Sequence, residues 1–362
     1  MRRVGTTTNA AGQVVTLHEA IYDYSNLLLS YNKARRGKRY RKEVLKYTQK
    51  KEENLQRTQA ELIELTYNPS GYRYFKVYEP KERQIMALPF YDRVVQHAIN
   101  NVLEPIFEKR FYRHSYACRK GKGSHAASDT LQKWLYDWEK YHKGEKLYAI
   151  KADIHAYFKS INHDRLKKEI RRVIKDENVL LLTDRIIDHN GEMPDGTGIP
   201  VGNLTSQLFA NVYLDALDKY VKEVLGVKKY IRYMDDFIIL SPDIEQLKDW
   251  LQKIETFINT ELLLSFNPKT TIVCASTGGI DFVGYKHRAT HKKVRKDSIK
   301  RIKRTIKQYE RGETTKESLQ KSICSWTGHA GHADSYHLRE KIIALADRTI
   351  KERETQERSA AA

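Results

Sequence analysis

Cysteine is scarce in this chain, acidic residues are outnumbered, and long apolar runs are missing. The three cysteines in 362 residues, Cys118, Cys274 and Cys324, are scattered and odd in number. They build neither a disulfide framework nor a CxxC metal pair. A reduced, intracellular setting is therefore the default expectation. No stretch approaches the ~18 uninterrupted apolar residues of a transmembrane helix. Met1-Arg2-Arg3 is followed by a polar Thr/Asn/Gly stretch and not by the apolar core of a secretory signal. What is present in quantity is positive charge and tyrosine. Lys+Arg is 65 against 46 Asp+Glu, a formal net charge of +19. A hydrophobic content of 40%, with 10 Phe, 4 Trp and 23 Tyr, suffices for a sizeable core and excludes a disordered polybasic chain. The length suits one large folding unit or two or three smaller ones. A folded chain this basic calls for a polyanionic partner, most commonly nucleic acid.

The charge is uneven. Residues 1–60 hold 13 Lys/Arg against 5 Asp/Glu, and residues 286–311 hold 12 against 2. Two basic ends around a more neutral centre suggest a clamp; solvated helix faces are the plainer reading. Apolar periodicity predicts helix over 17–65, 92–109, 128–142, 163–175, 203–225, 244–260 and 295–350. Strands are predicted over 72–78 (ended by Pro80), 147–154 and 280–287, and an exposed loop over 191–202. Strands and helices without strict alternation point to an α+β fold.

The segment Tyr230 to Leu240 is the most informative. Its flanks are β-prone, and a tight turn in its middle makes a hairpin with Asp235 and Asp236 at the tip. Two adjacent carboxylates raise each other's pKa and need a positive partner. A hard divalent cation such as Mg²⁺ is the usual solution. An isolated Asp-Asp is most often just an exposed turn, but a second apolar strand, Leu147 to Ile154, carries Asp153 near its end. Three carboxylates from two strands could hold two metals about 4 Å apart, one activating a 3′-hydroxyl and one stabilising a leaving pyrophosphate. Phosphoryl transfer asks for little beyond such positioning and charge neutralisation.

With these residues in view, the chain resembles a reverse transcriptase. Tyr233-Met234-Asp235-Asp236 matches the YxDD of polymerase motif C. Asp153-Ile154-His155-Ala156-Tyr157-Phe158 matches motif A. Gly198 to Gln207 sits where motif B belongs, and Ile280-Asp281-Phe282-Val283-Gly284-Tyr285 resembles motif E, the primer grip. Upstream, Arg83, Asp92-Arg93 and Tyr116 to His125 resemble the fingers motifs of bacterial, group II intron-like enzymes. The similarity runs from about residue 70 to 290 in the expected order.

The resemblance implies an α+β right-hand polymerase: N-terminal extension and fingers over 1–145 (with further fingers elements near 160–200), an antiparallel palm over 146–287, and a basic helical thumb over 288–362. Asp153, Asp235 and Asp236 become the catalytic ligands of two Mg²⁺ ions, with Ile154 beside them. Arg83, Phe158, Val201, Gly202 and Gln207 become nucleotide-binding, with Phe158 as the ring that rejects a ribose 2′-hydroxyl. Phe282 and Gly284 become the primer grip, and Arg119, Lys120 and Lys122 template contacts. The basic Gly121/Gly123 loop is weak evidence on its own and is no P-loop.

Motif B narrows the family. Where most reverse transcriptases carry QGxxxSP, this chain reads Val201-Gly202-Asn203-Leu204-Thr205-Ser206-Gln207. That form, together with Trp326 to Asp334, resembles the enzymes of diversity-generating retroelements, which make adenine-mutated cDNA from a template-repeat RNA. Val201 cannot make the hydrogen bond that a Gln makes, and specificity depends on placed polar groups. The partners implied are the template-repeat RNA and nascent cDNA, dNTPs, and a small basic accessory variability protein; no membrane is implied, and a cytoplasmic setting in a bacterium, archaeon or phage is. A retron or abortive-infection enzyme, and an idle RNA-binding scaffold, are the competing readings. His329, His332 and His337 lack the cysteine pairs or HExxH spacing of a zinc site and are assigned to packing. About 70 residues follow motif E, room for a thumb but not for an added nuclease domain of ~100 residues.

Overall fold

The computed structural model describes residues 3–9, 12–78 and 82–361. Met1, Arg2 and Pro80 lie outside the described residues. A Thr-rich hairpin, β1 (Thr6–Thr8) and β2 (Val14–Thr16), leads into α1 (Leu17–Tyr22), α2 (Tyr24–Ala34), α3 (Lys42–Gln49) and α4 (Lys51–Ile63). The periodic stretch over 17–65 is thus four helices. Thr16 and Glu19 cap α1 reciprocally, and Asp23 leaves helical geometry to accept the Ser25 and Asn26 amides at the start of α2. Next come the hairpin β3 (Arg73–Val77) and β4 (Arg83–Ala87), then α5 (Phe90–Glu108) and α6 (Ser124–Tyr141). The chain continues through β5 (Tyr148–Asp153), α7 (Tyr157–Ser160), α8 (His163–Arg171), α9 (Glu177–Asp188) and α10 (Leu204–Lys219), which runs on as a π turn over Tyr220–Val224. Then follow β6 (Lys229–Tyr233), β7 (Asp236–Ser241), α11 (Ile244–Thr260), β8 (Ile272–Ala275), β9 (Ile280–Phe282), β10 (Tyr285–His287) and β11 (Lys292–Val294). Three helices close the chain: α12 (Lys296–Glu310), α13 (Lys316–Ala330) and α14 (Tyr336–Ala361). The mixture is α+β, as the sequence predicts. None of the described helices is long and apolar enough to cross a membrane.

The chain divides into two compact units, each assembled from three segments. The first comprises Met1–Arg119, Asp153–Lys228 and Trp250–Lys269. Its centre is α5 packed on α10, and α10 is buried on nearly every side. The buried Tyr213 hydroxyl donates to the Leu262 carbonyl, and the Asn211 amide donates to the Ala117 carbonyl at 2.9 Å, which ties the three segments together. The second unit comprises Lys120–Ala152, Lys229–Asp249 and Thr270–Ala362. It holds a four-stranded sheet ordered β6-β7-β5-β8, in which β6–β7 and β5–β8 are antiparallel pairs. Helix α6 packs on β6, and α12, α13 and α14 share a core of Ile302, Ile306, Leu319, Trp326 and Ile342.

Two sequence expectations change. The stretch 280–287 is a hairpin of β9 and β10 and not one strand, because Val283 (φ 42°) and Gly284 (φ 93°) turn the chain. The loop over 191–202 is exposed in its first half and again at Gly202, but not between. Gly198, Ile199 and Pro200 are buried, and the Ile199 amide donates to the Phe158 carbonyl at 2.8 Å.

Candidate active site

The β6–β7 hairpin carries the acidic pair. Tyr230, Ile231, Phe237, Ile238 and Ile239 are fully buried, so the hairpin is anchored by both strands. Tyr233 pairs with Asp236 across a two-residue turn of Met234 and Asp235. Met234 takes a left-handed conformation (φ 57°), uncommon for a non-glycine residue. The wholly buried Arg232 donates from Nη1 to the Met234 carbonyl at 3.0 Å. A charged donor thereby clamps the strained residue next to the carboxylates. Asp235 and Asp236 are both half-buried. In the same sheet β7, which begins with Asp236, neighbours β5, which ends on Asp153.

Asp153 belongs to the first unit and is held there from the segment 265–267. The Asn267 amide side chain donates to Asp153 Oδ2 at 3.0 Å, and the Asn267 backbone N–H donates to the Asp153 carbonyl at 2.8 Å. The buried Ile154 bridges Phe266, and the His155 amide donates to the Ser265 carbonyl at 2.9 Å. Asn267 is a site residue that sequence reasoning misses. The available signal was Asn267-Pro268, a turn dipeptide placed after an apolar run.

The remaining candidates divide by unit. In the first, Ala156 (φ 45°) reverses the chain into α7, where Phe158 is half-buried beside the buried Tyr157. Gly202 (φ 121°) lies flush against β4: a Cβ there would sit 3.2 Å from the Met86 carbonyl. Asn203 caps the start of α10 by position and donates to the Tyr72 hydroxyl at 2.9 Å, while Gln96 accepts the Leu204 amide at 3.0 Å. Val201 is half-exposed and Gln207 exposed, in the loop and first turn leading α10. Arg83 opens β4, its backbone in register with Val77, and its side chain lies outside the described residues. Arg119 is corrected. Its side chain is only 5% exposed, and it is spent on Glu108 at 2.7 Å and on the Tyr112 and Ser115 carbonyls. It braces the chain after α5 and is not presented to a template.

In the second unit, Lys120 is exposed and Lys122 half-buried in the loop before α6. Phe282 is buried, so only its backbone can contribute to a grip, and Gly284 sits at the tip of the β9–β10 turn. His337 is exposed, whereas His329 packs against Tyr285. Among the described residues no group of three or more His, Cys, Asp or Glu side chains is arranged to hold a metal ion unaided. All three aspartates are nonetheless hard oxygen donors. Mg²⁺ characteristically takes only one or two protein carboxylates and leaves its other positions to water and substrate phosphate.

A model of the family "Reverse transcriptase (RNA-dependent DNA polymerase)" matches residues 76–287. Protein YkfC of Escherichia coli (strain K12) is 27% identical over 298 residues, covering 70% of this chain and 75% of that protein. The group II intron-encoded protein LtrA of Lactococcus lactis subsp. cremoris is 24% identical over 325 residues, covering 70% of this chain and 53% of that protein. The chain therefore spans about half the length of the latter relative. A structure of telomerase from Candida albicans with a fragment of telomeric RNA aligns with a TM-score of 0.48 at 13% identity, over 78% of this chain and 55% of that one. A likeness that slight does not bear on function.

Proposed function

The chain belongs to the reverse transcriptase (RNA-dependent DNA polymerase) family, and we propose that it copies a template-repeat RNA into adenine-mutated cDNA for a diversity-generating retroelement. The observation that carries the polymerase reading is the buried β6–β7 hairpin with Asp235 in its turn, next in the sheet to the strand ending on Asp153. Asp153, Asp235 and Asp236, with the Ile154 carbonyl, would hold the divalent cations. Bound Mg²⁺ lowers the barrier by neutralising charge on the phosphates and on the attacking and leaving oxygens.

The chain's own residues orient the reactants. Phe158 blocks a ribose 2′-hydroxyl, and Arg83 meets the incoming nucleotide with a planar guanidinium that stacks and donates. Gly202 and Gln207 border the nascent pair. Val201 supplies no hydrogen bond there, and this loosens selection. Gly284 and the Phe282 backbone hold the primer; Lys120 and Lys122 take the template phosphates. On this reading residues 1–145 are extension and fingers, 146–287 palm, and 288–362 thumb. The subfamily assignment is supported by the form of motif B and by Trp326 to Asp334. It brings with it a small basic accessory protein as partner.

The test is primer extension on a defined RNA template with Mg²⁺ and dNTPs. Asp235→Ala should abolish synthesis, a loss of at least about 10³-fold, with RNA binding retained. Wild-type-like synthesis by that variant would sink the site assignment. Sequencing the wild-type cDNA tests the subfamily: errors concentrated opposite template adenines support it, and uniform fidelity at all four bases refutes it.

A further inference from the structure

The second unit contains a cluster of rings that polymerase chemistry does not use. Tyr285, the first residue of β10, is fully buried. Its hydroxyl donates to the His329 carbonyl at 2.9 Å and lies 3.0 Å from His329 Nδ1 and 3.2 Å from His125 Nδ1. A phenol has one proton and two acceptor sites. With the proton spent on the carbonyl, both imidazoles must meet the oxygen with N–H on Nδ1. The Tyr285 and His329 rings stack at 4.6 Å, and His125 stacks on His332 at 3.6 Å and 17°. Gly284 adjoins the same imidazole: a Cβ there would sit 3.1 Å from His329 Cε1. His125 lies in the first turn of α6, directly after the Lys120–Lys122 loop, and His329 lies in the last turn of α13. Three segments distant in sequence therefore meet at one hydroxyl.

We propose that His125 and His329 are positioning residues that lock the Val283-Gly284 turn through the Tyr285 hydroxyl, with His332 stacked on His125 as the outer plate of the clamp. The proposal rests on the reading of that turn as the primer grip. The clamp gives the histidines a use beyond packing: each ring stacks on a neighbour and donates from its edge to the hydroxyl, which adds to the tie that the His329 carbonyl already makes to the end of α13.

The arrangement depends on the protonation state. Burial, and then the neighbouring imidazoles, hold His125 and His329 below the ordinary imidazole value of about 6.5. Lys292 on β11 and Arg301 on α12 act in the same direction, while Asp129 on α6 opposes them at His125 and is itself paired with Lys292 at 2.5 Å. His287, on β10, is pushed down to about 4 by burial. Tyr285 is pushed up to about 12, so its proton stays in place. The stability that the neutral imidazoles contribute is present above about pH 6.5 and lost as pH falls below it, where the unfolded chain binds protons that the clamp resists.

The experiment compares wild type with Tyr285→Phe, His329→Ala and His329→Gln in the full chain. One readout is amide hydrogen exchange over residues 280–288 between pH 5.5 and 8; the other is the number of nucleotides added per binding event on an RNA–DNA template–primer. Tyr285→Phe keeps the ring and removes all three hydrogen bonds, so it decides the matter if His329→Ala fails to fold. The expected result is roughly tenfold faster exchange over 280–288, a roughly tenfold drop in processivity with the KM for dNTP little changed, and loss of the wild type's acid-side fall in protection. His337→Ala, on the exposed face of α14, should leave all of these unchanged. Wild-type protection and wild-type pH dependence in Tyr285→Phe would overturn the clamp. If the wild type extends no primer while exchange over 280–288 still responds to Tyr285→Phe, the clamp stands and the polymerase reading fails.

Discussion

Asp153 and Asp235 show how much a residue's surroundings add to its identity. Both stood out in the sequence as candidates because an acidic pair between two apolar half-strands coincides with a second apolar strand that carries a carboxylate near its end. What holds them was not. The Asn267 donor comes from 114 positions away, and the Arg232 guanidinium would have been counted with the basic surface had the structure not buried it completely. Arg119 illustrates the converse, a cation beside a glycine-rich loop that serves the chain's own carbonyls. A residue-scale prediction follows from Asn267. Its amide restrains one oxygen of Asp153, so Asn267→Ala should lower kcat about tenfold while the affinity for template–primer stays within twofold. Single-turnover incorporation checks this; an unchanged rate would remove Asn267 from the site.

At the scale of elements, periodicity found the helices well because α5, α10 and α11 each bury a broad face. The β6–β7 hairpin was legible from two apolar half-strands around a polar centre. The β9–β10 hairpin was not, because Val283 is a β-former that the structure forces to positive φ, and only Gly284 hinted at a turn. The loop before α10 was read as exposed from its glycines and prolines. Its second half is instead packed against α7, with Gly202 against β4. That contact gives the next prediction. Gly202→Ala places a methyl 3.2 Å from the Met86 carbonyl at a φ of 121° that alanine tolerates poorly. It should cost about 1–3 kcal/mol of stability. On the proposed role of Arg83, which opens β4, it should also raise the KM for dNTP. Thermal denaturation and steady-state kinetics measure the two effects, and a variant as stable and as tight as wild type would refute the packing argument.

For the whole molecule, the charge of +19 is a statement about where cations stand as much as how many there are. Lys300, Lys303, Arg304, Lys307 and Arg311 stand exposed along one face of α12 and its C-terminal end. Contacts of that kind weaken steeply with salt. Lys303→Glu with Lys307→Glu should weaken template–primer binding about equally on all sequences and reduce the slope of log K against log salt by roughly one to two. A titration from 50 to 300 mM KCl reads it, and an unchanged slope would take α12 off the binding surface. The interleaving of the two units was beyond sequence reading, since no composition shift marks residues 119, 152, 228, 249 or 269. It also sets the order in which the molecule can come into being. Each unit needs a strip of chain from three places, so no stretch counted from the N-terminus contains the first unit whole until Lys269 has been made, nor the second until the final helix. Synthesis at ~5–20 residues per second leaves the first 119 residues waiting many seconds for their partners, a window in which the nascent chain depends on its own helices, or on a chaperone, to stay soluble.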